Sequence, residues 1–234
     1  MSSNRYAPRV AGISFLFLIA TVMASGLLWG GVGTTQGISE TLASISANSA
    51  SLRISIVLTA VAGITTLVLA AMLHATVRHQ DRSLAILALC CRAVEGGLYS
   101  VGMFVTLALL SLSHGSATDT PSAQTLAGLL IDVRWMGTNV GAIFFAAGST
   151  LFTYLLLRAR SIPVPLSAVG VVGSLLVLIG VPVQTALSIH TFAGPSALIW
   201  APIGIFEITA GVWLIAKGAK MPTTEPTGHE AARV

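Results

Sequence analysis

Six separate apolar runs, each roughly 20 residues or longer, constrain this chain more than any other feature. They cover residues 11–31, 54–75, 84–110, 137–157, 166–189 and 198–216. At about 1.5 Å of rise per residue, a helix over any of them crosses the roughly 30 Å hydrocarbon core of a bilayer. An open strand would leave backbone N–H and C=O groups unpaired in lipid. A β-barrel would need shorter segments alternating with period two, and these runs are solidly apolar. The expected fold is therefore all-α, an integral membrane bundle of six transmembrane helices. It forms one domain over residues 1–220, with a disordered tail expected at 221–234.

Charge supports this reading. Only 9% of the residues are Asp, Glu, Lys or Arg, where a soluble domain carries about a quarter. So few charges cannot coat a water-facing surface, and the mean hydropathy of +0.87 agrees. Arg5 and Arg9 precede the first run as they would precede a secretory signal. That run is longer than the roughly 7–15 residues of a signal core, so it reads as a retained span.

The loop charges predict an orientation. Arg5 and Arg9, Arg78 and Arg82, Arg158 and Arg160, and Lys217 and Lys220 all fall on one side of the six runs. The other side carries Arg53, with Glu40 and Asp119 nearby, and Arg134 at the edge of the fourth run. The positive-inside rule then places both termini in the cytoplasm. The twelve Lys and Arg residues form no basic stripe, so a nucleic-acid partner is not expected. The bilayer itself is the expected partner. The segment 34–52 has the composition for a short surface helix, and 124–133 for an interfacial start to a long one. Cys90 and Cys91 are adjacent, lack metal-motif spacing, and read as small buried hydrophobes.

Ionisable residues inside the runs are the candidates for function, because a charge at the centre of a membrane helix costs at least about 2.5–3.5 kcal/mol. Arg92 lies about 12 Å and Glu95 about 16 Å into the third run, and Glu207 about 13 Å into the sixth. Arg92, Glu95 and Tyr99 are spaced to share one helix face. That face, and Glu207, should look into the bundle. Two carboxyls at that depth exceed one guanidinium, so one must hold a proton or take a cation. Asn139 is a further candidate contact, although such an amide more often ties two helices together.

The same residues admit a plain structural role, with the Arg–Glu pair pinning the third helix to the sixth. Asp132 and Arg134, beside Trp135, read as interfacial anchors or as an outer entrance. His74 reads as an interfacial residue and His190 as a solvated helix end. Gly137, Gly141 and Gly148 form a stripe that would let a neighbouring helix approach closely. Pro182 and Pro202 should each remove a helix hydrogen bond. No histidine pair has zinc spacing and no nucleotide-binding loop occurs, so neither a metal nor a cofactor is expected.

Several segments resemble a known family. They are Arg9-Val10-Ala11-Gly12, Cys91-Arg92-Ala93-Val94-Glu95, Leu155-Leu156-Leu157-Arg158 with Ser161-Ile162-Pro163, and Leu166-Ser167-Ala168-Val169-Gly170. Phe206-Glu207 leading to Val212-Trp213-Leu214-Ile215-Ala216-Lys217-Gly218 completes the set. Their order and spacing resemble domain-of-unknown-function family 4386, a bacterial group of polytopic membrane proteins, from about Arg9 to Gly218. The resemblance implies a six-helix fold in a bacterial cytoplasmic membrane, with Arg92, Glu95 and Glu207 as family features. It implies no particular activity. Val164-Pro165 stands where the family usually places a basic residue, which argues against an essential basic site in that loop.

Three functions fit these residues. The first is binding or transport of a small lipophilic or amphipathic ligand at a mid-membrane site of Arg92, Glu95, Tyr99, Glu207 and Asn139. A transporter of only six helices without an inverted repeat would be expected to form a homodimer. The second is an intramembrane acid–base enzyme on a lipid or isoprenoid, of cyclase or isomerase type, with Glu95 and Glu207 catalytic. The third is a structural or regulatory partner of another membrane protein.

Overall fold

The computed structural model describes residues 6–32, 37–115, 120–189 and 194–219. Asp119, His190, Lys220 and the tail 221–234 lie outside the described residues. The elements are α1 (Ala7–Gly30), α2 (Ile38–Ala47), α3 (Ser49–Val77), α4 (Arg82–Ser113), α5 (Pro121–Arg158), α6 (Val164–Ala186), a 3₁₀ turn (Gly194–Trp200) and α7 (Ala201–Lys217). All described elements are helical. Six of them are long and apolar enough to cross a membrane: α1, α3, α4, α5, α6, and α7 with most of its leading 3₁₀ turn. The chain is a multi-pass, all-α integral membrane protein.

Local chemistry sets where the spans begin and end. Asp81 caps α4 by accepting from the Leu84 amide at 3.0 Å. Thr120 caps α5 at 3.4 Å from the Ala123 amide, with Pro121 in the first helical position, where its missing N–H is not needed. Gly218, at φ 69°, ends α7 in the left-handed region. Pro202 also falls in a first turn, that of α7, and removes no internal bond there. Only Pro182, inside α6, interrupts a helix as expected.

The spans close into a ring. Each packs on its neighbour in the order α1, α3, α4, α5, α6, α7, and α7 returns to α1. Helix pairs approach backbone to backbone where a glycine lies in the seam. A Cβ at Gly12 would meet the Gly211 carbonyl at 2.6 Å across α1–α7, and one at Gly173 the Ile203 amide at 2.6 Å across α6–α7. Hydroxyls also join α1 to α3, with Ser25 Oγ 2.8 Å from Ser55 Oγ and 3.0 Å from Thr59 Oγ1. The fourth-run glycine stripe is only partly used. Gly148 is tightly covered, Gly141 meets Leu98 at ordinary contact distance, and Gly137 has nothing within 4 Å.

The helices outrun the apolar segments that announce them. At 38 residues, α5 is about 57 Å long, and α4, at 32, about 48 Å. Their excess lies at the end of the bundle away from the chain termini. There they meet α2, whose Leu42 and Ile45 are fully buried in a second core with Leu52, Val105, Leu109 and Ala127. Thus residues 38–47 supply the short helix, with one face packed on the bundle and the other exposed, and Arg53 stands exposed on α3 rather than in a loop. Cys90 is exposed and Cys91 half-buried, against the expectation of burial. A bilayer accepts a thiol as readily as a protein core does, so the sequence pattern does not force them inward.

Candidate functional site

Arg92 and Glu207 converge on one small void at the centre of the ring. Arg92 lies ten residues from Arg82 at the terminus-side end of α4, and Glu207 ten residues from Lys217 at the same end of α7. Each is therefore about 15 Å deep, half the hydrocarbon thickness. The void also touches Phe15 of α1, Leu73 of α3, and Ser149, Phe152, Thr153 and Leu156 of α5. Its volume is about 10 Å³, room for a single water.

Arg92 is the largest fully buried side chain, 1% exposed. Its stem runs over Gly148, where a Cβ would stand 2.9 Å from Cγ and 3.1 Å from Cδ. The guanidinium lies 4.9 Å over the Phe145 ring, a cation–π contact, and Phe145 in turn stacks on Trp200 at 5.9 Å. Nη1 is 3.0 Å from Glu95 Oε2 and donates to Ser149 Oγ at 3.4 Å. Nε and Nη2 are buried and have no hydrogen-bond partner. These two nitrogens form one side of the fork, with parallel N–H bonds.

Glu95, 6% exposed, is held by Arg92 on its own helix and by the Tyr99 hydroxyl one turn on. Tyr99 packs against Gly63 of α3, its Cβ 3.5 Å from a Cβ built there. Glu207, 9% exposed, makes no hydrogen bond or ion pair among the described residues and stands within electrostatic reach of Arg92 and Glu95. Asn139 lies elsewhere. It donates to Thr185 Oγ1 at 3.0 Å, joining α5 to α6, and sits ten residues from Ser149, about 15 Å along α5.

The Arg92–Glu95 ion pair lies within α4 and does not itself join the third span to the sixth. Among the described residues α4 and α7 have no close backbone approach, and Arg92 and Glu207 meet only across the void. Arg134, 13 residues into α5, stacks at 3.9 Å on the Trp29 ring of α1, while Asp132 is exposed. His74 is half-buried in the last turn of α3, with its Nε2 unpartnered. Among the described residues no three His, Cys, Asp or Glu side chains gather as metal ligands.

Four contributors escape a search for charges: Ser149, Thr153, Phe145 and Gly148. The spacing of Ser149 and Thr153 one helical turn apart marks a hydroxyl face on α5, but only after Arg92 is known to point there.

An inward pair on α4 facing a lone acid on α7, at one depth, matches the segments Cys91–Glu95 and Phe206–Glu207 singled out in the sequence. The family described as "Domain of unknown function (DUF4386)" matches residues 10–218. The chain belongs to this DUF4386 family. The match runs from the first turn of α1 to the residue that ends α7, so all six spans and the central site fall within the DUF4386 domain. No curated protein and no solved structure matches the chain.

Proposed function

We propose that this protein binds or carries a small lipophilic or amphipathic ligand at the mid-membrane site of Arg92, Glu95, Tyr99 and Glu207. The observation that carries the reading is the unpartnered Nε and Nη2 of Arg92 and the unpaired Glu207, on two residues that line the same central void. Each buried polar group left unsatisfied costs about 1–3 kcal/mol, more when charged, which favours a role beyond packing. Within the site, Arg92 ties α4 to α5 through Ser149 and Phe145, while its ion pair with Glu95 stays within α4 and leaves Glu207 of α7 unclamped. The enzyme reading needs two free carboxyls, and Glu95 is already engaged by Arg92 and Tyr99.

The setting we infer is a bacterial cytoplasmic membrane with both termini inward. Arg9, Arg78, Arg82, Arg158, Arg160 and Lys217 gather at the terminus-side end of the bundle, against Arg53 and Arg134 toward the other.

Native mass spectrometry of the full chain released from membranes tests the function. A small molecule retained by the wild type, with retention altered in Arg92→Gln and Glu207→Gln variants that still accumulate in the membrane, is the expected result. Retention of nothing beyond bulk lipid, or retention indifferent to both substitutions, would contradict it.

A further inference from the structure

We infer that the ligand is a monocarboxylic amphiphile whose carboxylate seats side-on against the Nε–Nη2 side of Arg92, beside Glu207. The inference rests on the ligand-binding reading above and specifies its chemistry. Nη1 of Arg92 is taken by Glu95 and Ser149, while Nε and Nη2 are enclosed and unpartnered. Two parallel N–H donors match the two oxygens of a carboxylate in a bidentate pair. With the residue 1% exposed, bulk water does not reach that fork.

Charge selects among head groups. Arg92 and Glu95 cancel, and Arg92, Glu95 and Tyr99 of α4 are the ionisable groups within reach of Glu207. Of the helices flanking α7, α1 contributes only Arg9, near its start, and α6 contributes none. A carboxylate entering with its proton adds no net charge, and that proton can lie between the head group and Glu207. A phosphate monoester would bring a second negative charge into the same low-dielectric space. An ammonium would pair with Glu207 and leave the Arg92 fork empty. An alcohol offers one oxygen to two donors.

The rest of the lining is apolar. Phe15 meets Phe206 edge-to-face at 6.3 Å, and Leu73, Phe152 and Leu156 complete a wall suited to a hydrocarbon or aryl body. At about 10 Å³ the void holds one water, so the head group enters as the helices part.

The test uses the full chain in phosphatidylcholine nanodiscs with radiolabelled hexadecanoate, competed by unlabelled hexadecanoate, hexadecanol and hexadecylamine. Saturable binding of the acid, with the alcohol and the amine each weaker by about tenfold or more, is expected. Arg92→Gln should abolish it. Equal competition by alcohol or amine overturns the carboxylate assignment while leaving a ligand site in place, as does acid binding that survives Arg92→Gln. Saturable binding by none of the probes overturns the carboxylate assignment, and the broader reading falls with it only if native mass spectrometry also finds no retained small molecule. Should Arg92→Gln fail to fold, the probe series on the unaltered chain decides.

Discussion

A Cβ placed on Gly148 would stand 2.9 Å from Arg92 Cγ and 3.1 Å from the Ala88 carbonyl. The absent side chain on α5 is thus the space in which the central guanidinium's stem lies. Gly148→Ala should destabilise the protein by about 1–3 kcal/mol through overpacking and displace Arg92 from the void. Gly137→Ala, with nothing within 4 Å of its Cβ, should be neutral or slightly stabilising. Thermal unfolding of the two variants in detergent provides the comparison, and equal behaviour would contradict the packing described.

The seams of α7 should be still less forgiving. At Gly173 the atom in the way is the Ile203 backbone amide at 2.6 Å, and at Gly12 it is the Gly211 carbonyl at 2.6 Å. Backbone cannot rotate aside as a side chain can. Gly173→Ala and Gly12→Ala are each expected to lower thermal stability more than Gly211→Ala, where a new Cβ meets the movable Leu16 side chain at 3.0 Å and its nearest backbone atom, the Gly12 carbonyl, only at 3.2 Å. The ordering of the three melting temperatures checks this.

The Arg92–Glu95 pair should behave as a coupled unit. Removing one member of a buried pair strands the other, at about 3–5 kcal/mol. Glu95→Gln and Arg92→Gln should each destabilise strongly, and the double variant by less than the two losses combined. Additive losses would mean the 3.0 Å contact contributes nothing. A double-mutant cycle on unfolding in detergent measures the coupling.

Asn139→Ala removes the hydrogen bond to Thr185, an interhelical tie worth about 0.6–2 kcal/mol in membranes. A small stability loss with unchanged ligand retention is expected. Altered retention would return Asn139 to the site.

The six spans and the inward direction of Arg92 and Glu207 are legible in the sequence because both follow from transfer to hydrocarbon, which acts on each residue separately. Ring order is not, since it depends on which helix pairs find small residues at matching heights, as Gly12 with Gly211 and Gly63 with Gly96 do. For the same reason the sequence does not show that Arg92 spends its ion pair on Glu95 of its own helix, leaving Glu207 of α7 facing it across the void. Residue type alone misleads at Cys90, where lipid replaces the core as the apolar surrounding, whereas at Asn139 it points to an interhelical tie whose partner, on α6, only the structure names. Gly148 stands out only as one of three stripe glycines until Arg92 is seen lying across it.

The central claim is that Arg92 and both glutamates face one another within the ring and not the acyl chains. Solid-state NMR of the protein in bilayers, with labelled Arg guanidinium nitrogens and Glu carboxyl carbons, tests it most directly. The expected spectrum shows strong dephasing between the Arg92 guanidinium and the Glu95 carboxyl. It also shows a correlation from the Glu207 carboxyl to the Phe206 or Phe15 ring, and no magnetisation transfer to either carboxyl from lipid methylenes. Transfer from the lipid chains to the carboxyl of Glu95 or Glu207, with no contact to Arg92, would contradict the account.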